Sequence, residues 1–227
     1  MKSILFALCA LLLLAVPVFA DNEENYEPAD QSLLLLPTAY TMPKGTSALT
    51  NYELAVFQYA YALSDRLHLS AAMVFPIHKE VFKTFSAGIK LNYLQIDQLQ
   101  SSLNFAVNPH FRVMNLGNTI SYGSAKTNLH LNVGLVLNED SVLEDIDGDY
   151  IYYGGLGFID NVSKRTAVIV EYALGAGNDD SDAESIVALG LRFKGQRISW
   201  DLGAIRPVSA DMDDFIALPF IKATVMF

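Results

Sequence analysis

The sequence predicts an all-β protein, a closed antiparallel transmembrane β-barrel of about twelve strands, with ten as the alternative count. Three observations predict it. The chain is 52% hydrophobic over 227 residues, yet beyond its first twenty residues it has no unbroken apolar run of the roughly 20 residues a membrane helix needs. Segment after segment alternates apolar with small or polar residues at a period of two, the periodicity of a strand. The breaks between segments also alternate in kind: short tight turns at one end, acidic loops at the other, the asymmetry of a barrel with both termini on one side.

Residues 1–20 read as a secretory leader. Met1-Lys2-Ser3 supplies a positive charge, Ile4–Val16 an apolar run, and Val18-Phe19-Ala20 a cleavage site before Asp21. Its loss removes Cys9, the sole cysteine, so no internal disulfide is expected to hold the remaining chain. A barrel needs none, because closure leaves no strand edge unpaired. Residues 21–31 are expected to form a flexible periplasmic tail, and residues 32–227 the barrel.

The first strand is expected at 32–40, around Leu33-Leu34-Leu35-Leu36, and ends before the Pro43-Lys44-Gly45 turn. The second covers 46–62 and breaks at Ser64-Asp65. The third covers 66–77, before His78-Lys79-Glu80, and the fourth 82–95, before Ile96-Asp97-Gln98. The fifth runs 100–113, with a turn at Met114–Asn118, and a short sixth follows at 118–124. The seventh, 127–138, precedes an acidic loop at Glu139–Asp149. The eighth is 150–160, with a turn at Asn161–Lys164, and the ninth 165–176, before Asn178-Asp179-Asp180. The tenth, 184–193, turns at Lys194-Gly195-Gln196 into the eleventh, 197–206. Ser209–Asp214 leads to the last, 215–227. The count falls to ten if 32–40 stands outside the barrel or the short sixth strand is misplaced.

Along the seventh strand Leu129, Leu131, Val133, Leu135 and Leu137 alternate with His130, Asn132, Gly134 and Val136. The fourth, fifth and eleventh strands repeat the pattern. The apolar set carries no charge and suits lipid. The other set is Asn, Ser, Thr, Gly and His with few charges, which suits a narrow polar lumen better than the Lys- and Glu-rich face of a soluble sandwich. Collected, the candidate lumen-lining residues are His68, Lys90, Arg112, His130, Glu171, Arg192, Asp201 and Lys222. Both signs are present, so ion pairs are expected across the lumen among Glu171, Asp201, Arg192 and Lys222. Two uses are open: filling and fixing the interior, or lining a pore or ligand cavity. Twelve strands make a barrel wider than the eight-stranded type that side chains alone fill, so a plug or a water-filled space is expected. Tyr59, Tyr61, Tyr93, Tyr150, Tyr152, Tyr153, Tyr172 and Trp200 are candidates for interfacial girdles or for ordinary strand packing.

Formal net charge is −10, or −11 once a leader carrying Lys2 is removed, and the acid is clustered in predicted loops. That balance argues against nucleic acid as a partner. No phosphate-binding glycine loop or Cys/His cluster occurs, and neither a cofactor nor a metal is expected. Asp145-Ile146-Asp147-Gly148-Asp149 has the core of a calcium loop without its closing glutamate or flanking helices. His68, His78, His110 and His130 sit in no recognisable nucleophile motif, so catalytic residues are not assigned and an enzyme is not expected.

Two resemblances add to this reading. Leu218–Phe227, ending on Phe227, is similar to the terminal strand that the bacterial outer-membrane assembly machinery recognises, which implies that machinery and outer-membrane lipid as partners. Pro37-Thr38-Ala39 with Met42-Pro43-Lys44-Gly45, Tyr61–Ser70, Val168–Tyr172, and Ser199–Gly203 with Arg206-Pro207 resemble a group of uncharacterised outer-membrane barrel proteins of Bacteroidota-type Gram-negative bacteria. The similarity spans most of the chain after the leader, departs at Ala62 where the family turn usually has glycine, and implies location without an activity. The expected function is a small porin-like channel with a polar lumen. The alternative is a non-conducting structural or small-ligand-binding barrel, with a membrane hydrolase behind both.

Overall fold

A period of two along a strand gives it two unlike faces, and a sheet of such strands can satisfy both only by curling until the polar faces meet. The computed structural model, which describes residues 30–74, 79–124, 126–138, 150–177, 184–208 and 217–227, shows that outcome. The strands are β1 (Ser47–Tyr52), β2 (Val56–Ser64), β3 (Leu67–Val74), β4 (Ser86–Ile96), β5 (Leu99–Asn108) and β6 (Val113–Gly123). They continue as β7 (Thr127–Asn138), β8 (Tyr150–Ser163), β9 (Thr166–Gly177), β10 (Glu184–Lys194), β11 (Ile198–Pro207) and β12 (Leu218–Met226). Each pairs antiparallel with its sequence neighbours, and β1 pairs with β12, so the twelve close into a barrel. Ser47 and Phe227 exchange both backbone hydrogen bonds at the closing seam, at 3.2 and 2.8 Å.

The count of twelve agrees with the sequence, but two errors cancel within it. Residues 32–40 are not a barrel strand, and the barrel begins at Ser47. The single strand expected at 46–62 is two, β1 and β2, joined by a turn at Glu53–Ala55. No Gly, Pro or Asn-Gly marks that turn. Glu53 and Leu54 adopt left-handed φ values of 54° and 59°. The strain is offset by stitching to β12: the Glu53 N–H donates to the Ile221 carbonyl at 2.9 Å, and its carboxylate accepts the Ile221 N–H at 2.7 Å. Leu54, 72% exposed, has no such compensation. Leu54→Gly is therefore expected to stabilise the fold by ~0.5–1 kcal/mol, measured as a rise in the temperature at which the folded band is lost on an unboiled gel.

A second difference lies between β5 and β6. The turn falls at residues 109–112, ahead of the expected Met114–Asn118, and β6 is correspondingly longer. Pro109 cannot donate to a ladder, and the Asn108 side chain accepts the N–H groups of His110 and Phe111 at 3.1 and 2.9 Å, a local turn of the kind Asn favours. Residues 79–84, partly expected as strand, form a short 3-10 helix (Lys79–Thr84) before β4.

Outward positions are apolar and open: Leu103, Phe105, Leu131, Val133, Leu189, Trp200 and Leu202 are each more than 40% exposed. Inward positions include the buried polar residues His68, Asn92, Thr119, His130, Glu171, Arg192, Asp201 and Lys222. This inside-out distribution is that of a barrel whose outer surface meets an apolar solvent. Among the candidate girdle residues Tyr59, Tyr61, Tyr93, Tyr152 and Trp200 lie exposed, while Tyr153 turns inward, its hydroxyl donating to Asn115 at 3.0 Å over Gly134 and Gly117. The short turns after β2, β4, β6, β8 and β10 share one rim with the chain's closing seam. The connections carrying the acidic clusters leave from the other. The expected leader, the Asp145–Asp149 motif and most of those acidic loops lie outside the described residues.

Candidate functional site

Asp30–Gly45, the stretch that does not join the sheet, lies inside the barrel. Pro37 and Pro43 deny it regular ladder pairing, and Leu33–Leu36 give it an apolar tip. It folds on itself: the Leu33 N–H donates to the Leu36 carbonyl at 2.8 Å, Thr38 N–H donates to the Gln31 carbonyl at 3.1 Å, and Ser32 bridges to Pro37. The result is a small hairpin standing in the lumen from the short-turn rim. There Met42 is fully buried against Ala48, Ala60 and Ala62, and Asp65 accepts the Lys44 N–H at 2.8 Å.

The wall grips this hairpin chiefly by its main chain. Glu171 on β9 accepts the N–H groups of Leu34, Leu35 and Leu36, with distances of 3.1–3.3 Å to the last two. Arg192 on β10 donates to the carbonyls of Ser32 at 2.7 Å and Leu33 at 3.4 Å. Lys222 on β12 donates to the Leu33 carbonyl as well. Lys90 on β4 donates to three carbonyls, Gln31 and Thr38 at 2.9 Å and Tyr40 at 3.3 Å. Asn92 donates to the Ala39 carbonyl at 3.0 Å, Ser121 accepts the Ala39 N–H at 2.8 Å, and His68 accepts the Met42 N–H. Main-chain groups taken out of water must find partners, and the barrel wall supplies them here.

The charged residues are arranged as a row. Cross-strand register sets Arg192 beside Asp201 and Asp201 beside Lys222. Asp201 receives Arg192 through Nε at 2.8 Å and Nη2 at 2.9 Å, and Lys222 through Nζ at 2.8 Å. These ion pairs run along the wall between neighbouring strands, not across the lumen as expected, and Glu171 spends its oxygens on amides. One carboxylate thus neutralises two cations whose remaining donors are aimed at the hairpin.

Opposite charges hold the backbone; glycines hold the leucines. Leu33, Leu34 and Leu36 pack with Ile159, Ala167, Ile169, Ala188 and Phe220. A Cβ built on Gly157 would lie 2.1 Å from Leu33, on Gly155 2.7 Å from Leu36, and on Gly190 2.9 Å from Leu34. Four inward glycines, with Gly203, therefore hollow the β8–β11 wall to the shape of the leucine tip.

The β4–β7 wall is different. Register joins Asn92, Ser102, Thr119 and Asn132 in one inward row. Asn92 Oδ1, Ser102 Oγ, Asn132 Nδ2 and His130 Nε2 are buried with no hydrogen-bond partner among the described residues. Ser121 Oγ and His130 Nδ1 stand 2.7 Å apart, a nucleophile–base spacing, but Ser121 also takes the Ala39 amide and both residues lie sealed against the hairpin.

Of the eight sequence candidates, seven converge on this hairpin or its ion row: His68, Lys90, His130, Glu171, Arg192, Asp201 and Lys222. Arg112 does not. It stands exposed in the β5–β6 turn at a left-handed φ of 50°. Asn92, Ser121 and the glycine cradle carried no charge to mark them in the sequence. Phe227 lies at the closing seam, 67% exposed. Among the described residues no group of three or more His, Cys, Asp or Glu side chains is placed to hold a metal.

No protein-family model matches the chain, and no curated protein sequence does. Solved structures do. The NanC porin superposes with a TM-score of 0.53 at 9% identity, over 80% of this chain and 98% of that one. The chain has the fold of a porin-type outer-membrane barrel. Weaker superpositions are with a loop L8 deletion mutant of OmpT, an outer membrane protein of Vibrio cholerae (TM-score 0.46, 14% identity, 76% of this chain), and with a further porin (TM-score 0.44, 14% identity, 76% of this chain). This chain spans only 62% and 61% of those two.

Proposed function

We propose that this chain is a porin-like barrel of the outer membrane whose lumen is held closed, at the short-turn rim, by its own Asp30–Gly45 hairpin. The observation that carries the reading is that hairpin: Lys90, Glu171, Arg192 and Lys222 all hydrogen-bond its main chain. Exposed apolar residues around the outside suit lipid, and the short turns suit the periplasmic rim. In this reading the barrel-assembly machinery recognises the last strand, with Phe227 exposed at the seam. The resting barrel is thus non-conducting, and release of the hairpin opens it.

Full-length protein in planar bilayers is expected to show no steady conductance. Leu34→Asp puts a carboxylate among Ile169, Ala188 and the other apolar residues of the leucine cluster, and is expected to produce channel openings while the heat-modifiable gel shift shows the barrel still folded. Cysteines introduced together at Ala39 and Ser121, once oxidised, should abolish any openings. Steady conductance that persists with the hairpin tethered overturns the reading.

A further inference from the structure

The hairpin is held by inward residues toward the short-turn rim, and the strands continue beyond its leucine tip to the long-loop rim. Leu35, at its tip, is 37% exposed, whereas its neighbours Leu33 and Leu34 are fully buried. A leucine exposed inside a barrel faces open space, and that space lies between the tip and the long-loop rim. Inward positions bordering it are half-buried, not packed.

The chemistry of this cup differs from that of the closed half. Every charge at the inward strand positions described so far belongs to the hairpin's grip. Above the tip, among the described residues, the inward strand positions carry no charged side chain until Glu184 at the rim. The cup is also two-sided. On β9–β11 it presents Ala173, Ile186 and Ile205, continuous with the leucine floor. On β3 and β6 it presents Ser70 and Asn115. Among the described residues Asn115 uses only its Oδ1, accepting from Tyr153 at 3.0 Å. Its Nδ2 remains for a ligand.

We infer that the cup binds uncharged amphipathic small molecules, apolar on one face and hydroxyl-bearing on the other. The apolar face seats against Ala173, Ile186 and Ile205. The hydroxyls meet Ser70 and Asn115. A charged solute would lose hydration with no counter-charge among the described inward strand positions between the tip and Glu184, whereas a neutral amphipath gains apolar burial on one side and hydrogen bonds on the other. The inference rests on the closed-barrel reading, because only the hairpin gives the lumen a floor.

The test uses full-length protein in lipid nanodiscs, with empty nanodiscs as control, titrated with 4-nitrophenyl β-D-glucopyranoside by calorimetry. Binding of the glucoside is expected, with 4-nitrophenyl phosphate and benzyltrimethylammonium at least tenfold weaker. Ile186→Glu should weaken glucoside binding at least tenfold, and Asn115→Leu several-fold, both variants keeping the gel shift. Equal binding of the charged probes, or glucoside binding that neither variant changes, overturns the inference. Conductance separates the two readings. A full-length barrel that conducts steadily sinks the closed-barrel reading however the probes rank; a silent barrel with a flat probe ranking sinks only the cup.

Discussion

Asp201→Ala is expected to be the most damaging single substitution in the barrel wall, costing about 3–5 kcal/mol. Asp201 is the one carboxylate in a buried row with two cations, and the side chains of all three are no more than 1% exposed. Glu171 cannot take over, because its oxygens are committed to the amides of Leu34–Leu36. Without Asp201, Arg192 and Lys222 lose the carboxylate that bridges them and face each other, keeping the carbonyls of Ser32 and Leu33, the Ser32 hydroxyl and, for Lys222, the Tyr52 ring at 5.9 Å. The measurement is the temperature at which the heat-modifiable band disappears, alongside bilayer conductance. A triple variant, Arg192→Met with Asp201→Leu and Lys222→Met, discriminates between two roles for the row. Burying apolar groups of similar volume in place of an ion cluster is often neutral. The triple variant should therefore recover most of the barrel's stability. It should not recover closure, because the Ser32 and Leu33 carbonyls then have no donor. Full recovery of both would show that the row only fills space.

The architecture was legible because a barrel writes itself in a period of two. In β7 the lipid-facing set Leu129–Leu137 and the inward set beginning with His130 can be separated by eye, and register then carries the separation around the sheet. Charge made the inward residues legible in the same way: a Lys, Arg, Asp or Glu in the middle of an otherwise apolar strand is costly on the outer face, and Lys90, Glu171, Arg192, Asp201 and Lys222 all face inward, whereas Arg206, at the end of β11, stands exposed. Arg112 shows the limit of that rule, since it applies only inside a strand, and the Asn108-Pro109 turn ends β5 before Arg112 is reached. The hairpin at Asp30–Gly45 was misread for a different reason. Leu33-Leu34-Leu35-Leu36 has no alternation to assign a face, and a run of four leucines reads equally well as a strand of the wall or a tip buried within it. What decides between them is the wall's shape. The glycines at 155, 157, 190 and 203 lie on three different strands, so their shared hollow appears only once the sheet is closed.

Gly157→Val tests that hollow, and it is expected to unseat the hairpin while leaving the barrel intact. Gly157 sits mid-strand in β8, paired to His130 on one side and Glu171 on the other. Valine suits a strand, so the ladder itself tolerates the change. The lumen does not. A Cβ at this position falls 2.1 Å from the end of the Leu33 side chain, and two further methyls follow it. A leucine tip can swing away when it has room, but Leu33 is fully buried among Leu34, Ile169 and the other residues of the leucine cluster, so the whole tip must lift. Lifting it draws the Leu34–Leu36 amides off Glu171 and the Leu33 carbonyl off Lys222. The expected result is channel openings in planar bilayers and new proteolytic cleavage within residues 30–44, with the folded gel band unchanged. Adding Leu33→Ala returns the three carbons that valine introduced, and volume-conserving exchanges are the ones a packed interior tolerates best. The double variant should therefore close again and resist the protease, although each single change loosens the hairpin alone. If Gly157→Val leaves the barrel silent and residues 30–44 protected, the glycines do not shape the seat, and the main-chain grip of Glu171, Arg192, Lys222 and Lys90 suffices to hold the hairpin without them.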